Sequence, residues 1–195
     1  MNYLAHLYLS GDDQQVLIGN FMADSIKGNQ YLEYPKGIQN GILLHRFIDS
    51  FTDAHSLIIE LKQLMYDHLH HYSGVAIDVL LDHILAKNWS KYSKTELIDF
   101  VQNCYFVLKE NYDLLTENVK RFLPIMIKHD WLYNYRTVEG ISQILKQMNK
   151  RLKHEVDLSK SVYIMQQNIQ LFESHFNSFI AELNKEVNIF QSNIN

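Results

Sequence analysis

Apolar side chains return every three or four residues along most of this chain, the spacing of helices that bury one face. The pattern is clearest near the end, where Ile169, Phe172, Phe176, Phe179, Ile180, Leu183, Val187 and Phe190 share one stripe and predict a long amphipathic helix. Ser93-Lys94-Thr95-Glu96 has capping-box spacing and precedes Leu97, Ile98, Val101, Tyr105 and Leu108 on one face, so a second helix is predicted to start there. Ile141, Ile144, Leu145, Met148 and Leu152 give a third stripe. Ser56 to His71, Val75 to Lys87 and Val119 to Asp130 read as further helices, and no run of strict alternation competes with them.

Gly11-Asp12-Asp13, Gly28-Asn29, Tyr34-Pro35-Lys36-Gly37 and Tyr72-Ser73-Gly74 punctuate the helices, and none is long enough to link two domains. Only 7 Gly and 2 Pro occur in 195 residues, too few for a turn-rich β fold. The expected architecture is therefore all-α: one compact, single-domain helical bundle spanning residues 1–195, with neither repeats nor low-complexity segments.

Composition removes several function classes. A hydrophobic share of 47%, with 12 Tyr and 10 Phe, supplies a core and excludes a disordered chain. A formal net charge of −4 offers no global positive field for a phosphate backbone, so nucleic acid is not the expected partner. Cys104 stands alone, which rules out an intramolecular disulfide or a thiolate metal cluster and suits a reducing cytoplasm. The segment Met1 to Leu9 is short, lacks a basic leader and contains His6, so it reads poorly as a signal peptide. No stretch approaches the ~20 apolar residues of a membrane span.

Ten His draw attention to chemistry, but position matters more than number. His68, His70 and His71 crowd the polar end of a predicted helix and read as surface residues, and His175 as half-buried structure. More telling are the polar residues that interrupt apolar helices within the first 85 positions. His45 and Asp49 are four residues apart, so one helix face presents an imidazole and a carboxylate to the same point. Asp78 and Asp82 repeat that spacing in an otherwise apolar segment, with His83 beside the second. Asn20 to Asp24 forms a third cluster, with Lys27 one turn beyond and His6 on the preceding apolar segment.

Any one of these residues has an ordinary structural explanation as a cap or an ion pair. Together they would need many separate partners in one core, whereas a shared cation satisfies them at once. Imidazole and carboxylate without thiolate suit Mn²⁺, Mg²⁺, Fe²⁺ or Zn²⁺, and the share of carboxylates leans toward the first two. Such a centre supports hydrolysis, because a bound cation polarises a phosphoryl oxygen and acidifies water. Lys27 and Arg46 are candidates for taking up phosphate charge, or for simple salt bridges.

At these same residues the chain resembles the acyl carrier protein phosphodiesterase family, a divergent branch related to the HD phosphohydrolases. The resemblance runs along nearly the whole chain and is carried by Asn2-Tyr3-Leu4-Ala5-His6-Leu7, Gly19-Asn20-Phe21-Met22-Ala23-Asp24, Gly41-Ile42-Leu43-Leu44-His45-Arg46-Phe47-Ile48-Asp49 with Thr52-Asp53, and Asp78-Val79-Leu80-Leu81-Asp82-His83 with Trp89. It implies an HD-like helical fold and hydrolysis of the phosphodiester between 4′-phosphopantetheine and a Ser of holo-acyl carrier protein, assisted by Mn²⁺ or Mg²⁺. Carried over residue by residue, it implies a site of His6, Asp24, His45, Asp49, Asp78, Asp82 and His83, with Arg46 and Lys27 beside them. We assign His6, Asp24, His45, Asp49, Asp78 and Asp82 to the metal, Asp24, His45, Asp49, Asp82 and His83 to catalysis, Lys27 and Arg46 to the substrate phosphate, and the proton for the leaving group to His83 or His6. Acyl carrier proteins are acidic, so steering by a chain of net −4 must be local; Lys120, Arg121 and Lys128, or Lys146, Lys150, Arg151 and Lys153, are the candidate patches. Two alternatives stay open: an HD-type hydrolase of a nucleotide or other small phosphodiester, and a non-catalytic helical binding protein.

Overall fold

The segments predicted to be helical fold as helices, and no strand occurs among the described residues, which in this computed structural model are 1–150, 152 and 156–194. Among the described residues eleven α-helices follow one another: α1 (Tyr3–Leu9), α2 (Gln14–Met22), α3 (Lys36–Ala54), α4 (Ser56–Leu69), α5 (Ser73–Lys87), α6 (Leu97–Glu110), α7 (Glu117–Lys128), α8 (Trp131–Asn134), α9 (Val138–Asn149), α10 (Lys160–Gln167) and α11 (Ile169–Ile194). Side-chain caps fix several starts. Asp13 accepts the N–H groups of Gln15 and Val16 at the head of α2, Thr116 accepts that of Val119 in α7, and Thr137 that of Gly140 in α9.

One boundary departs from the sequence reading. Ser93 does not cap a helix; its hydroxyl accepts the N–H of Thr95 at 3.1 Å and donates to the Thr95 carbonyl, closing a local turn. The Trp89 indole N–H donates to that same carbonyl at 2.8 Å, so α6 starts only at Leu97, with Glu96 as a cap that makes no side-chain bond.

The described apolar side chains form one contiguous core. At its centre lies α5, where Ala76, Ile77, Val79, Leu80, Leu81, Ile84 and Leu85 are all fully buried, as expected of a helix apolar on every side. It touches α1, α4, α9, α10 and α11. Phe172, Phe176, Phe179 and Leu183 of the tail stripe close the core from α11. His68, His70 and His71 are exposed, and half-buried His175 pairs with Glu60 at 3.0 Å. No described helix is long and apolar enough to cross a membrane.

The contact that matters most for the site is between α2 and α3. Gly19 and Gly41 meet there, and a Cβ on Gly19 would run into the Ile38 carbonyl, one on Gly41 into the Val16 carbonyl. The two backbones therefore touch with no side chain between them. This close approach sets Asn20 and Asp24, which follow Gly19, against His45 and Asp49, which follow Gly41.

Candidate active site

Four segments converge on a cavity of about 160 Å³. α1 contributes His6, α2 contributes Asn20, the short turn Ala23–Ser25 contributes Asp24, and α3 contributes His45 and Asp49. His45 and Asp49 meet as their spacing predicts, with Nε2 3.1 Å from the Asp49 carboxylate. His6 Nε2 lies 3.1 Å from the other oxygen of Asp49, and Asp24 lies 3.1 Å from His45 Nε2. The two imidazoles stack with centroids 4.1 Å apart. Donor atoms of His6, His45 and Asp49 all lie within 4.8 Å of one another, the spacing a single ion can bridge.

Asn20 governs both rings. Its Nδ2 donates to the His6 carbonyl at 2.8 Å and to Ser10 Oγ at 2.9 Å, which fixes the amide so that Oδ1 faces the imidazoles. His6 Nδ1 donates to that oxygen at 2.9 Å, and His45 Nδ1 donates to the Asn20 carbonyl at 2.9 Å. With protons held at both Nδ1 atoms, a neutral ring turns the lone pair of Nε2 toward the carboxylates. A lone pair facing a carboxylate oxygen at 3.1 Å is repulsive unless a proton or a cation lies between them.

The electrostatics agree. Burial drives His6 down to about 4, more than the Asp49 carboxylate can offset, so this ring is neutral at ordinary pH. Burial also works against charge on His45, but its hydrogen bonds to the Asp24 and Asp49 carboxylates outweigh it and hold that ring at about 9. In the absence of a metal the proton on His45 therefore takes the cation's place. The Asp24 carboxyl is held below its usual range by the His45 hydrogen bond. Burial raises the Asp49 carboxyl, but both imidazoles overcome this and keep it ionised. The donor set thus fits a divalent cation, with His6, His45 and Asp49 as the residues to hold it and Asp24, whose side chain is 70% exposed, at the mouth.

The chain matches the acyl carrier protein phosphodiesterase family over residues 1–183. It belongs to that family. It is 31% identical to the acyl carrier protein phosphodiesterase of Pectobacterium atrosepticum, covering 94% of this chain and 95% of that one. The enzyme of the same name from Escherichia coli is 30% identical over 94% of this chain and 95% of its own. That of Photorhabdus laumondii is 29% identical over 92% and 91%. No solved structure matches the chain.

Not every residue that the family motifs single out lies in the cavity. Asp78 lines its wall, 3.1 Å from the α-amino group of Met1, and burial raises its carboxyl despite that ammonium. Asp82 faces away. Fully buried, it accepts the N–H groups of Asn2, Leu4 and Ala5 and so caps the start of α1. Burial lifts it to about 7 against the pull of the Met1 ammonium and of those donors. His83 points elsewhere again, its Nδ1 donating to the Tyr135 carbonyl at 2.7 Å. Arg46 donates to the carbonyls of Ile26 and Gly28 and stacks on Tyr31, holding the turn after Asp24, while Lys27 is exposed and does not line the cavity. Of the candidate docking patches, Lys120 pairs with Glu117 and Arg121, Lys128, Lys146 and Lys150 are partly or fully exposed, whereas Arg151 and Lys153 lie outside the described residues.

Asn20 is the residue that the sequence reading left without a role. The signal for it was present, since it is a fully buried amide in the apolar run Val16-Leu17-Ile18-Gly19-Asn20-Phe21-Met22.

Proposed function

We propose that this protein is a metal-dependent phosphodiesterase that releases 4′-phosphopantetheine from holo-acyl carrier protein and leaves the apo-protein. The observation that carries the reading is the convergence of His6, His45 and Asp49, with Nε2 of both rings turned inward by Asn20, in a chain that matches its family over residues 1–183. Mn²⁺ or Mg²⁺ suits a mixed imidazole and carboxylate set without thiolate. Bound there, the cation would polarise a phosphoryl oxygen and acidify water.

The chain's own residues supply the rest. Asn20 holds the imidazoles in the ligating tautomer, and Asp24, ionised and exposed at the mouth, is placed to accept a proton from the incoming water. Asp82 serves this site at one remove by anchoring the helix that carries His6. Arg46 steadies the turn that presents Lys27, whose exposed side chain can reach for phosphate. With His83 turned to Tyr135, the proton for the leaving seryl oxygen must come from a group at the cavity wall. For the acidic carrier, the patch on α7 is favoured, because Asn118 of that helix donates to Ser25 Oγ beside Asp24. Kinship in fold with the HD phosphohydrolases is part of this reading and rests on the motifs alone. A cytoplasmic setting fits the free, buried Cys104.

The test is mass spectrometry of holo-acyl carrier protein incubated with the protein and Mn²⁺, beside an EDTA control and an Asp24→Asn variant. Loss of the 4′-phosphopantetheine mass only with metal and unsubstituted protein is expected. An unchanged mass with folded, metal-loaded protein would overturn the substrate assignment.

A further inference from the structure

A second cleft, of about 270 Å³, opens from the same point. It shares Met1, Asn2, Tyr3, Asp24 and Asp78 with the His/Asp cavity, so the two are continuous. Beyond those residues its character changes. Phe122 of α7, Trp131 of α8 and Ile144, Gln147 and Met148 of α9 line it there. The last three have helical spacing and face the same way. They also divide the α9 stripe in two: Ile141 and Leu145 are fully buried in the core, whereas Ile144 and Met148 stay half-buried because they wall the cleft.

A ligand filling both spaces needs an anion at the His/Asp end and a slender, uncharged, mostly apolar chain beyond it. No described Lys, Arg or His side chain lines the second cleft; at its entrance the Met1 ammonium is already paired with Asp78, and the ionised Asp24 carboxylate would repel an anionic tail. The exposed Gln147 side chain offers one amide to pair with amides of the occupant. We propose that this cleft binds the pantetheine arm of the substrate, with Trp131, Ile144 and Met148 as the residues that select it. The proposal rests on the phosphodiesterase reading above. It adds that recognition is of the arm itself, a phosphate followed by a branched aliphatic unit, two amides and a thiol, and that a nucleoside base is not the intended occupant.

The chain carries its own reporter. Its two tryptophans are Trp131 in the cleft and Trp89, which is 5% exposed with its indole bound to Thr95. Titration of the full-length protein with 4′-phosphopantetheine should change tryptophan emission saturably, and Trp131→Phe should abolish that change. Met148→Phe and Ile144→Phe, which fill the cleft without touching the His/Asp centre, should weaken the titration at least tenfold. Each should raise KM for holo-acyl carrier protein by a similar factor and leave Mn²⁺ affinity and hydrolysis of bis(p-nitrophenyl) phosphate within twofold. Unchanged titrations and KM values in both folded variants would overturn the assignment while the phosphodiesterase reading stands. Saturation by AMP with no response to 4′-phosphopantetheine would overturn it in favour of a nucleotide site. Failure of the unsubstituted, metal-loaded protein to release 4′-phosphopantetheine would remove the underlying reading and the cleft's assignment with it.

Discussion

The carboxylate of Asp82 accepts the backbone N–H of Leu4 at 2.7 Å, across 78 residues of sequence. With the N–H groups of Asn2 and Ala5 on its other oxygen, this one side chain satisfies three donors that the first turn of α1 cannot satisfy internally. His6 sits on the next turn, so a contact deep in the core fixes a residue of the site.

Asp82→Ala should therefore destabilise the fold by about 3 kcal/mol, the usual scale for leaving buried donors without an ionic acceptor. Asp82→Asn should recover little of this, since half of the amide is itself a donor. Urea unfolding of the three proteins decides the point, and wild-type stability in Asp82→Ala would contradict the capping role.

Asn20→Leu should keep the helix but release the His6 imidazole from its tautomer, while His45 Nδ1 keeps the backbone carbonyl of residue 20 as its acceptor. Metal affinity should fall by roughly 10–100-fold, the range typical for loss of a group that orients ligating His. Isothermal titration with Mn²⁺ measures it, and circular dichroism shows whether the fold is retained.

Binding of the cation should be linked to pH through His45. In the metal-free protein this ring is raised to about 9, so near neutrality it carries a proton that a metal must displace, while His6, at about 4, is already neutral. About one proton should be released per ion between about pH 6 and 8, read from the dependence of the binding heat on buffer ionisation enthalpy. The sign for stability follows from the same values. A raised His45 stabilises the metal-free fold fully below its unfolded value of 6.5, and that contribution is lost as pH rises through about 9. A depressed His6 acts oppositely, its contribution being lost as pH falls from 6.5 through about 4.

Gly41→Ala should force α2 and α3 apart, because its Cβ meets the backbone of Val16 and Asn20 and not a side chain that could turn aside. We expect a loss of about 1–3 kcal/mol in stability, accompanied by weaker Mn²⁺ binding. The same substitution at half-buried Gly74, where only the end of Lys62 lies near, should cost neither.

Much of this was legible from spacing. The stripe of Phe172, Phe176 and Phe179 declared its helix, and the four-residue step from His45 to Asp49 placed both side chains at one point. What spacing did not reveal was direction across the core. Asp82 and His83 gave the same signal as His45, a polar residue in an apolar helix, yet one meets the end of α1 and the other a carbonyl of Tyr135. Burial demands a partner without naming it. Arg46 looked free to bind phosphate because the carbonyls of Ile26 and Gly28 that hold it come from a turn whose path no periodicity encodes. Asn20 stood in a named cluster but was given no role because an amide is seldom a ligand, although its side chain and its own carbonyl orient one imidazole each. Ser93 had the right residue three places before Glu96 but lost Thr95 to the Trp89 indole.

The bare contact of Gly19 with Gly41 bears on when the site is made. Helices that touch backbone to backbone move as one body, with no side chain between them to act as a cushion. Asn20 and Asp24 are thereby locked to His45 and Asp49 before any ion arrives. The entropy of gathering ligands from separate helices is surrendered once, as the chain folds, and an arriving cation has only a proton to displace.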